Sequence, residues 1–280
     1  MAAGARAQRS AVLVTRPGEA GQRLSGALRD RGQRALWWPA FDLLAPEDLE
    51  PLQTLLGELA QFDLAVFVSP AAVRGLAALH LCSNWPAGTA IAAAGPSTLA
   101  LARSLLPGAA AARNAGLAAG SRQSGSEALW EALQREAPLP PRVLIVRAES
   151  GREWLGERLR EAGSRVEYAS VYRRVVHAPG HAQLAALTAC RGAGDRAVCV
   201  LTSSESVAAL DRQLERAAEA RVWLRQGLAL CSHPRVAQAA RAAGYTRVVD
   251  CEPSRQAVLD AICGAAHGEP GPTRAEARVP

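Results

Sequence analysis

The sequence has no lysine: all 32 of its basic residues are arginine. This excludes chemistry that runs through a lysine amine, namely a P-loop lysine, a Schiff base to a carbonyl substrate and an anchor for pyridoxal phosphate. A GC-rich coding sequence explains the bias, together with the abundance of Ala, Gly and Leu and the scarcity of Ile. The chemical consequence stands regardless of origin, because any anion must be bound by arginine, hydroxyls and backbone N–H groups. Aromatic residues make up only 4% and no basic tract occurs, so the net charge of +6 and pI near 9.4 come with neither a stacking platform nor a phosphate stripe for nucleic acid. The apolar runs are short and broken by Arg, Gly or Pro, so neither a membrane span nor a signal peptide is expected. Cys82, Cys190, Cys199, Cys231, Cys251 and Cys263 form no C-x-x-C pair, which fits reduced thiols in a cytoplasmic protein. Cofactor and metal motifs are also missing: there is no G-x-G-x-x-G after a strand, no G-x-S-x-G elbow and no H-E-x-x-H. His177 and His181 are four apart, but Pro179 and Gly180 between them do not suit a helical metal pair. No metal and no cofactor are expected.

What the chain does have is a duplication. "VLVTRPGEAGQRLSGALRDRGQRALWW" from Val12 and "VLIVRAESGREWLGERLREAGSRVEYA" from Val143 share Val, Leu, Arg, Leu, Leu, Arg, Gly and Arg at a constant offset without a gap. Each copy reads as a strand (Val12–Thr15, Val143–Val146), a helix with leucines at helical spacing (Leu24 and Leu28, Leu155 and Leu159), a glycine stop (Gly32, Gly163) and a second strand (Ala35–Trp38, Val166–Ala169). Three further pairs follow in order: "FDLAVFVSPAAV" with "RAVCVLTSSESV", "AIAAAGPSTLALA" with "LALCSHPRVAQAA", and "GSEALWEAL" with "SRQAVLDAI". Strands alternating with helices imply an α/β fold of parallel sheets with helices on both faces. Two repeats imply two doubly wound lobes, and two lobes imply a cleft. Met1–Ser10 and the tail 266–280 are expected to be disordered, and Ala137–Arg142 reads as a connector.

Ligands of doubly wound sheets bind beyond the carboxyl ends of the strands. Those ends carry Arg16, Ser69, Gly95, Ser97, Thr98, Arg147, Ser203, Ser204, Ser232, His233 and Arg235. Each Ser or Thr alone is an ordinary helix cap, yet their recurrence at equivalent points of both repeats suits anion binding at helix N-termini. Arg16 and Arg147 follow the first strand of each repeat, where a matched pair could clamp carboxylates bidentately. Tyr172, in "SVYRR", either packs at a hinge or donates a proton.

The ordered set "VLVTRP", "FVSPAAV", "GPSTLALA", "SGSEALWEAL", "VLIVRAESGREWLGERLREAG", "VYRR", "LTSSESV" and "SHPRVAQAARAAGY" resembles the uroporphyrinogen-III synthase family over about Ala11–Ile262. The resemblance implies two flavodoxin-like lobes joined by a two-stranded linker. Lobe one would be residues 1–38 with 174–265 and lobe two 42–170, the chain crossing at Pro39–Phe41 and Ser170–Tyr172. It implies a monomeric, cofactor-free lyase that closes hydroxymethylbilane to uroporphyrinogen III with loss of water and inversion of ring D, and a transient contact with the preceding enzyme of the pathway. Tyr172 would be the acid or cation stabiliser, and the residues at the strand ends would bind carboxylates. Ser232, His233 and Arg235 depart from the family's G-P-x-T-A pattern. The rival class is a two-lobed, non-catalytic sensor of an anionic ligand.

Overall fold

The computed structural model describes residues 9–117, 125–136, 138–252 and 254–266. Residues 1–8 and 267–280, which make up most of both expected tails, and Ala137 of the expected connector lie outside the described residues. In chain order the elements are β1 (Ser10–Val14), α1 (Gly18–Arg29), β2 (Arg34–Trp37), β3 (Phe41–Leu44), α2 (Glu50–Gly57), β4 (Leu64–Phe67), α3 (Pro70–Leu79), β5 (Ala90–Ala93), α4 (Pro96–Leu105), α5 (Ser126–Arg135), β6 (Arg142–Ala148), α6 (Trp154–Glu161), β7 (Arg165–Val176), α7 (His181–Gly192), β8 (Arg196–Leu201), α8 (Ser204–Gln213), α9 (Ala218–Gln226), β9 (Leu228–Cys231), α10 (Pro234–Ala242), β10 (Arg247–Asp250) and α11 (Arg255–Ala266). The chain divides into two compact units, Met1–Asp42 with Val175–Pro280, and Leu43–Arg174.

The first unit holds a sheet in the order β10-β9-β8-β1-β2, and the second sheet has the order β3-β7-β6-β4-β5. Each therefore combines the opening β–α–β of one repeat with the closing strands of the other. The register carries the duplication to the single residue. Val12 pairs with Ala35 and Val198, and its counterpart Val143 pairs with Val166 and Leu64. Val198 pairs onward with Leu228, as Leu64 does with Ala90. All of these pairs are parallel.

Parallel strands covered on both faces read as unbroken apolar runs, and β4, β5 and most of β1 and β6 are buried at every position. Alternate residues serve opposite faces. In unit 1, Leu13, Cys199, Leu201 and Cys231 pack against Leu210 of α8, Leu224 of α9 and Val236 of α10. Val12, Val14, Val200 and Leu230 pack against Leu24 and Leu28 of α1 and Leu259 of α11. In unit 2, Phe67, Ile91 and Val146 meet Leu76 of α3 and Leu99 of α4, while Val66, Ala92 and Ile145 meet Leu133 of α5 and Leu159 of α6. Each fully buried Leu, Val or Phe is worth about 1.5–3 kcal/mol. Gly32 and Gly163 close the turns after α1 and α6 at φ +76° and +96°, conformations that a side chain resists.

Several sequence expectations move. Trp38 falls just beyond β2, and β3, β10, α2, α7 and α9 were not anticipated. The largest change is β7, which runs straight through the expected crossing at Ser170–Tyr172. Its period-2 burial continues there, with Ala169 and Val171 both inside the core, so the chain has no reason to leave the strand at Ser170.

Candidate functional site

Registration of the parallel strands decides which residues surface together. In unit 1, Val14 lies opposite Val200, Leu201 opposite Cys231, and Cys231 opposite Asp250. The residues that follow, Arg16, Thr202, Ser232, Cys251 and Glu252, line one small pocket at the carboxyl edge, floored by Val200, Leu230 and Val258. Thr15 anchors this edge from within: it is fully buried and its hydroxyl donates to the Val200 carbonyl at 2.7 Å. Burial lowers the Arg16 pKa from the ordinary arginine value, because the charged form loses water. An arginine still keeps its charge near neutral pH.

The serines of this edge cap helices. Ser203 accepts from Ser206 N–H at 3.1 Å, and its own N–H is received by the Ser206 hydroxyl at 3.2 Å. Ser204 is exposed and its hydroxyl donates to the Arg235 carbonyl at 3.3 Å, tying α8 to α10. His233 caps α10, its Nδ1 accepting the Arg235 N–H at 3.1 Å, which requires that nitrogen to be unprotonated and leaves Nε2 as the N–H tautomer. The Arg235 side chain lies in the exposed first turn of α10. Ser232 donates to the Thr202 carbonyl at 3.2 Å.

Unit 2 builds a second edge by the same logic. Phe67 lies opposite both Val146 and Ala93, so Ser69 and Gly95 each follow by two residues and cap α3 and α4. Both helices begin with proline, as α10 does; proline presets φ and lacks only an N–H that the first turn does not use. Ser69 accepts from Ala72 N–H at 3.2 Å. Ser97 is exposed, whereas Thr98 is buried at 4% exposure. Tyr172 pairs with Ala148 across a bulge that skips one residue of β7, packs half-buried against the core and, among the described residues, makes no hydrogen bond through its hydroxyl.

The structure thus gathers Arg16, Ser203, Ser204, His233 and Arg235 at one edge, and Ser69, Gly95, Ser97, Thr98 and Tyr172 at the other. Arg147 departs from expectation. It is only 6% exposed, its Nε donates to the Ala148 carbonyl at 3.1 Å, Nη1 lies 3.7 Å from Glu153, and the guanidinium sits 5.0 Å from the Tyr168 ring centre. The expectation of a matched arginine clamp is corrected accordingly: the Tyr168 ring and Glu153 hold this guanidinium inside the unit. Periodicity and repeat matching do not reveal Cys251 and Glu252, whose only signal is the two-valine strand before them. His177 is held by Asp42 at 2.9 Å on Nδ1 and Gln183 at 3.1 Å on Nε2. Among the described residues no group of three or more His, Cys, Asp or Glu side chains could hold a metal ion, and no helix is long and apolar enough to cross a membrane.

Comparison with known proteins adds the family. The chain is 33% identical to a uroporphyrinogen-III synthase of Salmonella typhimurium over 165 residues, which is 58% of this chain and 64% of that protein's length. It is 30% identical over 172 residues to the Escherichia coli protein of the same name, covering 60% and 67%. Two solved structures share its fold. A mutant uroporphyrinogen III synthase of Thermus thermophilus superposes with TM-score 0.56 at 19% identity, over 93% of this chain and all of that one. The Helicobacter pylori uroporphyrinogen-III synthetase does so with 0.57 at 16%, over 92% and 99%. The model of the family described as uroporphyrinogen-III synthase HemD matches residues 22–260, and the chain belongs to that family.

Proposed function

We propose that the protein closes hydroxymethylbilane, a linear tetrapyrrole with eight carboxylates, to uroporphyrinogen III with loss of water and inversion of ring D. The observation that carries this reading is the family match across residues 22–260. The two units, residues 1–42 with 175–280 and residues 43–174, act as flavodoxin-like lobes on a two-stranded linker. The enzyme works as a cytoplasmic monomer.

In the proposed mechanism, carboxylates are met by Arg16 and by N–H groups at the starts of α3, α4, α8 and α10, with Ser69, Gly95, Ser97, Thr98, Ser203, Ser204, His233 and Arg235 around them. Tyr172 supplies the proton that helps the terminal hydroxyl leave as water, giving an azafulvene cation. The substituted carbon of ring D attacks it, and the spiro intermediate fragments and recloses inverted. Arg147 supports the edge from inside. Because the bilane also closes spontaneously without inversion, orientation is the main task. Orientation accounts for up to about 7–11 kcal/mol in well-placed systems, against about 10²–10⁴-fold for a positioned acid.

The test is to generate hydroxymethylbilane in the presence of the protein, oxidise the product and separate the porphyrin isomers. Dominant isomer III is expected. Isomer I formed at the spontaneous rate would remove the enzyme reading and leave a two-lobed binding protein.

A further inference from the structure

We propose that Gly75 of α3 is a positioning residue for Tyr172: it admits a β-bulge at Val171, and the bulge turns the Tyr172 side chain onto the sheet face covered by α3 and α4. The proposal rests on the cyclisation reading above, in which Tyr172 supplies the proton, and adds to it the part that aims the phenol.

Regular alternation would send Tyr172 to the other face. In β7, Val166 and Tyr168 belong to the face covered by α5 and α6, while Ala169 and Val171 belong to the core under α3 and α4. Successive residues of a strand point to opposite faces, so Tyr172, at an even spacing from Val166 and Tyr168, belongs by count with them. It packs instead against the core that holds its neighbour Val171. The register supplies the reason. Arg147 pairs with Ser170 and Ala148 with Tyr172, so Val171 is an extra residue in β7. A bulge bends its strand and re-aims the side chains beside it, here bringing two consecutive residues to one face. Beyond it the Glu149 N–H donates to the Tyr172 carbonyl at 2.9 Å and holds the backbone of the tyrosine.

Gly75 makes room for that extra residue. A Cβ there would lie 2.9 Å from the Val171 carbonyl oxygen and 3.2 Å from its Cγ2. The helix therefore passes over the bulge at a distance that no side chain fits. Glycine weakens a helix interior, and nothing local in "PAAVRGLAAL" calls for one; the approach to Val171 does. The first unit shows the arrangement without the bulge. Its strand β2 pairs with β1 in unbroken register and ends at Trp37. Counted from its cap Ser203 as α3 is from Ser69, α8 carries the buried Ala209 where α3 carries Gly75. The glycine goes with the bulge.

The experiment pairs kinetics with fluorine NMR on the full-length protein. Gly75→Ala puts a methyl against the Val171 carbonyl. With hydroxymethylbilane as substrate and isomer III as readout, kcat is expected to fall about tenfold to 100-fold, with KM within about twofold. In a Tyr172→Phe background the same change is expected to add nothing, because Gly75 acts only through that hydroxyl. The chain has three tyrosines, so 3-fluorotyrosine gives three resonances, and the one lost in Tyr172→Phe reports its surroundings. That resonance is expected to shift in Gly75→Ala and to stay in place in Gly26→Ala, where nothing lies within 4 Å of the new methyl. If Gly75→Ala does not fold, Val171→Ala is added, which removes the Cγ2 contact and keeps the carbonyl contact. An unchanged kcat, an equal fall in both backgrounds or an unmoved resonance overturns the assignment and leaves the activity standing. Full rate in Tyr172→Phe also overturns it. A wild-type protein that yields no isomer III overturns the activity reading, and the fluorine resonance then decides by itself whether Gly75 orients Tyr172.

Discussion

At the scale of single residues, identity and environment separate cleanly. Tyr172 offers a hydroxyl with no partner among the described residues, half-buried at a sheet edge. Tyr245, buried at 6% exposure, donates to Cys199 Sγ at 3.9 Å, and burial pushes its phenol pKa upward, out of reach of acid–base work near neutral pH. Tyr172→Phe is therefore expected to lower kcat by about 100-fold or more with the urea midpoint unchanged; full-rate turnover by that variant would take the hydroxyl out of the chemistry. The buried thiols allow a stability prediction. Burial pushes Cys199 up to about 12 and Cys231 up to about 11, above the unfolded thiol near 8.5. Between these values the unfolded chain gives up protons that the folded chain keeps, so the unfolded state binds fewer protons and stability falls as pH rises. The contribution is complete below about pH 8 and is lost progressively toward pH 11 to 12. Urea midpoints taken from pH 7.5 to 10.5 should decline, and Cys199→Ala with Cys231→Ala should flatten that decline.

At the scale of elements, much of the sheet was legible because parallel strands buried on both faces announce themselves as short apolar runs, and because every run occurs twice. The pairing register then carries the duplication further: residues matched between copies take matched partners in the two sheets. What stayed hidden were elements with mixed exposure. β10 is a four-residue strand with three exposed positions, and β3 has no fully buried residue, so neither has the apolar signature of a core strand. The full length of β7 was hidden because Tyr172, Arg173 and Arg174 read as the end of a strand: all three are of intermediate exposure and carry no apolar alternation. Helix–sheet contact also explains two glycines of opposite effect. At Gly227, after α9, a Cβ would lie 2.3 Å from the Ala197 carbonyl oxygen, whereas at Gly26 inside α1 nothing stands within 4 Å. Gly227→Ala is expected to cost about 1–3 kcal/mol and Gly26→Ala to stabilise by about 0.5–1 kcal/mol, both read from urea unfolding.

At the scale of the molecule, the arginine-only charge matters as a field. A net charge of +6 attracts a polyanionic substrate over distances that salt shortens to roughly 8 Å at physiological strength. KM for hydroxymethylbilane should rise several-fold between roughly 0.02 and 0.3 M salt, with kcat little changed; a flat KM would mean that backbone N–H groups alone carry binding. The sequence by itself determined that there are two α/β repeats, which residues form their buried strands, and which hydroxyls and glycines stand where helices begin, because these depend on local periodicity and local capping. Only the tertiary structure decided that β3 and β10 complete the two sheets, that Cys251 and Glu252 join Arg16 at one pocket, and that Arg147 turns inward. Those outcomes depend on which strands pair and on which ring lies beside which arginine, and such contacts join residues far apart in the chain, where no local pattern records them.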